Sequence, residues 1–131
     1  MELSFRTGGE LDFLDITEEI RKFVVKQGVK EGALLLFLPH ATAGLITLEN
    51  EAGLVKDMKA ALKKIIPKNA GYRHDRIDDN AHSHLRASIL RADLVVPITG
   101  GDLDLGDWQQ IFIVELDNGP RTRRLVVKIL K

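Results

Sequence analysis

Apolar positions recur along the chain in two rhythms, and the switches between them mark off strands from helices. Met1 to Thr7 alternates as a short strand, Gly8-Gly9 signals a turn, and Leu11 to Ile16 reads as a second strand. Thr17 is placed to cap a helix through Lys26. Glu18 and Glu19 suit its positive end, while Ile20, Phe23 and Val24 supply an apolar stripe and Gly28 stops it. Gly32 to Leu38 is a continuous apolar run between Gly and Pro, the pattern of a buried central strand. Gly44 to Leu48 predicts another strand. From Glu51 to Ile66, Leu54, Met58, Ala61, Leu62 and Ile65 recur at helical spacing until Pro67 ends the pattern.

Asn69 to Ala81 is polar and reads as irregular, and Leu85 to Leu90 as a short helix. Leu94 to Ile98 predicts a strand, Gly100-Gly101 a turn, and Trp108 to Leu116 a long buried strand. Asp117-Asn118-Gly119-Pro120 is a strong turn signal before a closing strand from Leu125 to Leu130. Several strands with two main helices between them predict an α+β domain over residues 1–131, with a mostly antiparallel, β-sandwich-like core. A doubly wound parallel fold would need more regular alternation of strand and helix.

Composition narrows the chemistry. The 131 residues suit one domain, which at this size buries about two-thirds of its unfolded surface. Nineteen basic and nineteen acidic residues cancel. That balance argues against nucleic acid or an acidic membrane as partner, since both favour a basic excess. No cysteine occurs, so any metal must be held by imidazole and oxygen ligands. The N-terminal MELSFRTGGELDF carries charges where a signal peptide needs an apolar run, and Ala33 to Pro39 is far too short to span a bilayer. A cytoplasmic protein is the expectation.

All four histidines lie between residues 40 and 84. His40 ends the apolar run, while His74, His82 and His84 surround a polar stretch with Asp75, Asp78, Asp79 and Asn80. Such stretches beside rigid strands are where binding and catalytic groups gather, and neutral imidazole is a common metal ligand. Each histidine has an ordinary structural reading too, and the aspartates suit a solvated loop. His82 and His84 share a face in a strand but point about 200° apart on a helix. Glu49, Asn50 and Glu51 stand at a strand–helix junction, where a carboxylate serves as cap, ligand or base; for Glu51 the cap is the simpler role. Alternation puts Arg121 and Arg123 on one face and Arg124 on the other; arginine suits phosphate, and an exposed strand end would look the same. Trp108 reads as core. No Walker, dinucleotide-binding or serine-elbow motif is present.

Three segments together resemble one family. HATAGLITLEN, His40 to Asn50, is similar to its H-T-S-A-G-L…E-N segment. YRHDRIDDNAHSHLRASIL, Tyr72 to Leu90, is similar to H-D…D-x-x-x-x-H-[LIF]-K-[AS]-S. VPITGGDLDLGDWQQIFIVELDNGPRTRRLVV resembles P-I…G-x-[LI]-x-x-G-T-W-Q-x-I…G-x-R. The match runs in order over all but about the first 30 residues, and it identifies the chain as a member of the YjbQ-like, secondary thiamine-phosphate synthase family.

The resemblance implies a homotrimer with a histidine-lined site near subunit contacts. Position by position, it implies His40, His74 and His84 as the polar centre, holding a divalent ion (zinc or magnesium) or protonating the leaving group, with Glu49 or Asp79 orienting them. Glu49, Asp75, Asp79, Trp108, Gln109 and Arg121 are supporting residues. His82 ranks below, since relatives carry other residues there. Ala41 and Asp107 stand where threonine is familiar, and Asp107 adds a carboxylate that could alter substrate preference. The implied reaction joins a pyrimidine-methyl pyrophosphate to a thiazole phosphate and releases pyrophosphate, with Arg121 and the ion neutralising the leaving group. The same residues also suit a metal-dependent hydrolase of a small phosphate or amide compound, or a non-catalytic trimer that binds a metal or metabolite.

Overall fold

A computed structural model describes residues 1–131. Alternating residues build eight strands: β1 (Glu2–Arg6), β2 (Phe13–Asp15), β3 (Gly32–Phe37), β4 (Ala43–Leu48), β5 (Asp93–Thr99), β6 (Asp102–Leu103), β7 (Gln110–Glu115) and β8 (Thr122–Leu130). They form a five-stranded sheet in the order β1-β8-β3-β5-β6 and a three-stranded sheet in the order β2-β7-β4, with every pairing antiparallel. Three helices complete the domain: α1 (Thr17–Gln27), α2 (Ala52–Ile65) and α3 (Ala81–Leu90). None is long and apolar enough to cross a membrane.

The main core lies between the sheets. Leu34, Leu36, Val96, Ile98, Leu125 and Val127 of the large sheet meet Leu45, Ile111 and Ile113 of the small one, and Ile16 with Ile20 and Val24 of α1 completes it. The other face of the small sheet carries Phe112, Val114 and Leu116 against Leu62 of α2 and Ala87 of α3. The layers are therefore large sheet, small sheet and helices. The outer face of the large sheet has no layer over it, and Phe37, Val95 and Leu130 are exposed there.

Four sequence expectations need correction. Thr17 is buried inside α1 rather than capping it, because Asp15 Oδ1 accepts its N–H at 3.0 Å and its hydroxyl at 2.6 Å. Gly32 to Leu38 is central in its sheet, but burial alternates along β3 because only its inner face is covered. Trp108 is 73% exposed, since the Gly106–Gln109 turn precedes β7 and holds it outside the strand. The third helix starts at Ala81, because the Asp75 carboxylate reaches back to accept the Ala81 N–H at 3.0 Å. The short helix expected from Leu85 is therefore present and starts four residues earlier.

Candidate functional site

Where the chain leaves β3 for β4 it crosses from one sheet to the other, and His40 stands in that crossing. Behind it the sheets are tied by a buried polar group. Arg123 of β8 donates from Nε to Glu115 Oε1 at 2.8 Å and from Nη2 to the other Glu115 oxygen. The same Nη2 donates to the carbonyl and hydroxyl oxygens of Thr42, each at 3.0 Å, and the Thr7 hydroxyl donates to Glu115 Oε1 at 2.7 Å. Burial raises the Glu115 pKa, but hydrogen bonds from Arg123, Thr7 and the Asp117 amide outweigh it and hold the carboxyl below its ordinary value. Glu115 is an ionised structural bridge. Asp117 is similar: burial raises it, while the Asn118 amide, Thr42, Asn80 and Arg121 bring it lower overall.

The Arg124 N–H lies 2.8 Å from His40 Nε2, so that nitrogen accepts and the ring proton belongs on Nδ1. Burial, then the Arg123 guanidinium, lowers the His40 pKa, which agrees with a neutral ring. His74 takes the opposite tautomer. Asn80 Nδ2 donates to Asp117 Oδ1 at 3.5 Å, which leaves Asn80 Oδ1 to accept from His74 Nε2–H at 3.2 Å and His74 Nδ1 with a lone pair.

His84 comes from α3, which is pressed onto β4. A Cβ at Gly44 would fall 2.9 Å from Leu90 Cβ, so glycine in HATAGL is what lets the helix end approach. The stripe His84, Ala87, Ser88, Arg91 then faces His40 across a cleft of about 430 Å³, completed by Ala41, Ala43, Ala92 and Asp93. A second cleft of about 450 Å³ runs along the neighbouring flank of α3, lined by Tyr72, Arg73, His74, Ala81, His84 and Leu85. His84 belongs to both walls, and its ring meets that of His74 edge-on, with centroids 4.9 Å apart.

Arg91 has a costly backbone. Its φ of 81° and ψ of 164° fall in a region that only glycine occupies freely. It is clamped there, with its N–H donating to Ala87 O at 2.8 Å and its carbonyl accepting from Leu45 N–H at 3.0 Å. Such a conformation costs about 1–3 kcal/mol. The exposed Arg91–Asp93 pair, 3.1 Å apart, offers at most about 1 kcal/mol, so it does not account for an arginine at this position.

The other expected site residues are spread out. Glu49, Trp108 and Gln109 sit at the far end of the small sheet, where Leu48 pairs with Gln110. They are separated from the His40 end by the length of β4, roughly 17 Å. Asp107 lies with them, away from both clefts. Glu51 caps α2 through the Gly53 and Leu54 amides, and Asp75 caps α3. Asp79 is exposed and uses its carbonyl to accept from Asn118 Nδ2 at 3.1 Å. Arg121 is exposed, 3.5 Å from Asp117, and lines neither cleft.

His82 points into the domain. It is fully buried beside Glu10 and Arg86, while burial and then the Arg86 charge push its pKa down. Sequence reasoning missed Ser88, Arg91 and Asp93 as lining residues. The available signal was a helix ending at Leu90-Arg91 without the glycine that a positive φ prefers.

As ligands of a divalent ion, the three histidines do not fit within one chain. Nowhere do three His, Asp or Glu side chains converge on one point, and the Nε2 lone pair of His40 is already taken by the Arg124 amide. What the clefts do offer is one imidazole wall between two small-molecule spaces.

The profile of the UPF0047 protein YjbQ-like family matches residues 1–131. A UPF0047 protein of Archaeoglobus fulgidus is 42% identical over 99% of this chain and 100% of its own. One from Methanothermobacter thermautotrophicus is 41% identical over 98% and 89%. Among solved structures, a YbjQ-like protein from Sulfolobus solfataricus P2 superposes with a TM-score of 0.95 at 38% identity, covering 99% of this chain and 94% of that one. A YjbQ/UPF0047 family protein from Clostridium acetobutylicum gives 0.92 at 36% identity, covering 99% of both. With sequence, fold and motif order agreeing over its full length, the chain belongs to the YjbQ-like UPF0047 family.

Proposed function

We propose that the chain is a cytoplasmic transferase of the thiamine-phosphate synthase type, joining a pyrimidine-methyl pyrophosphate to a thiazole phosphate. The observation that carries this reading is the pair of adjoining clefts sharing His84. A condensation needs two ring-sized spaces with the reacting atoms meeting at their border, whereas hydrolysis needs one space and water. The thiazole nitrogen forms the new bond to the pyrimidine methylene carbon. The carbon–oxygen bond to pyrophosphate breaks, and pyrophosphate leaves with the electron pair. His84, on the shared wall, is placed to give that leaving group a proton, and the Nδ1–H of His40 offers a second donor. His74, edge-on to His84, orients it.

In the same reading the molecule works as a homotrimer. Support comes from the bare apolar stripe on the large sheet and from a zero net charge that leaves copies little mutual repulsion. A neighbouring copy would also give Glu49, Trp108 and Gln109 a way to reach the histidines of another chain.

The test is pyrophosphate release measured with each substrate alone and with both. Release only when both are present, lost in His84→Ala, is the expected result. Equal release from the pyrimidine compound and water alone would make the protein a hydrolase. Saturable binding without turnover would make it a binding protein. Near-stoichiometric zinc in the wild type, absent from His84→Ala by elemental mass spectrometry, would replace the proton-donor role with a ligand role.

A further inference from the structure

We propose that Arg91 is the anion-binding residue of the cleft between His40 and His84, receiving the phosphate or pyrophosphate group of the substrate. The inference rests on the reading of that cleft as a substrate site, and it adds the group that recognises charge there. Arg91 is the only Lys or Arg lining the cleft. Arg121, which the sequence offers for that task, lines neither cleft.

Position 91 is fixed by the fold, because its carbonyl receives the Leu45 N–H and its amide reaches Ala87 O. Glycine would meet those demands without strain, and arginine meets them with it. The strain is therefore kept for the side chain. Just past the end of α3, that side chain borders the same cleft as Ser88 and His84, so guanidinium, hydroxyl and imidazole line one space. In the free protein Arg91 Nη2 rests against Asp93, 3.1 Å from Oδ1 and 3.4 Å from Oδ2. Both partners lie at the cleft, and one nitrogen makes both contacts. An arriving phosphate would exchange with this carboxylate for the planar fork, which binds two oxygens at once.

Titration of the purified full-length protein with inorganic pyrophosphate by calorimetry, in a buffer free of phosphate and sulfate, tests this directly. Arg91→Gly is expected to weaken binding about tenfold or more, in line with loss of a charge-assisted contact. Its Tm should be equal or higher, since the strained residue is gone. Asp93→Asn should tighten binding several-fold by removing the competing carboxylate, and Arg91→Lys should recover only part of the affinity. Unchanged affinity in Arg91→Gly, or no pyrophosphate binding by the wild type at millimolar concentration, would overturn the assignment. Arg91-dependent binding without transfer between the two substrates would leave the anion site standing and remove the reaction proposed for it.

Discussion

His82 and His84 stand two residues apart on α3, and their surroundings differ in almost every respect. His82 has no exposed surface, lies 3.5 Å from Glu10, and shares that carboxylate with Arg86, whose Nε and Nη2 both donate to Ile66 O. His84 is half-buried, stands between two clefts, and has no hydrogen bond from its ring to any other side chain or to the backbone. One face of the helix turns its polar groups into the domain, toward Glu10 and Ile66 O. The other leaves them for something that arrives from outside. Residue type alone therefore does not separate a buried histidine from one open to a cleft; the phase of the helix does.

The largest expected break in this contrast is His84→Ala. If its ring protonates the leaving group, turnover should fall about 10²–10⁴-fold while the Tm moves little, with steady-state kinetics and thermal melts read side by side. Next comes Arg86→Met, which should cost about 3 kcal/mol in urea unfolding. That is the lower end for a broken buried pair, because Glu10 keeps contact with solvent while Ile66 O loses its donor.

Smaller effects sharpen the same line. The lowered pKa of His82 means the unfolded chain takes up a proton first as pH falls through the ordinary value of 6.5. Stability should thus be fully present above that value and decline below it, toward the folded-state pKa, by at most about 1.4 kcal/mol per pH unit for this group. His40 has the same sign, so His82→Asn should reduce the slope rather than abolish it. Melts across pH 7.5 to 5 would show this. Smallest of all, Ser88→Ala on the exposed face should change stability by no more than about 0.5 kcal/mol.

Much of this was readable in the chain. Strand order aside, the alternation at β1, β4, β5 and β8 and the helical spacing after Glu51 place those elements correctly, because each depends on neighbours within a few residues. Where position depends on distant partners, the pattern is silent. α3 begins four residues before its apolar periodicity does, since Asp75 caps it across a loop. Trp108 is apolar enough for a core, yet the Gln109 side chain closes a turn with the Gly106 amide and turns the strand start away from it. His40 and His84 were legible as candidates. Their convergence was not, because it depends on Gly44 admitting the end of a helix that lies more than 40 residues further along.

The wall of the first cleft is built from His84, Ala87 and Ser88 of α3 and Arg91 just beyond its end, opposite His40. Such a wall is easy for evolution to edit. Ser88 is exposed and Arg91 lies just past the helix end, so a change of charge or size in either side chain leaves the buried His82, Ser83 and Arg86 untouched. If the cleft takes a phosphorylated ligand, one or two exchanges at 88 and 91 would change which one it takes, while the imidazole at 84 still borders both clefts.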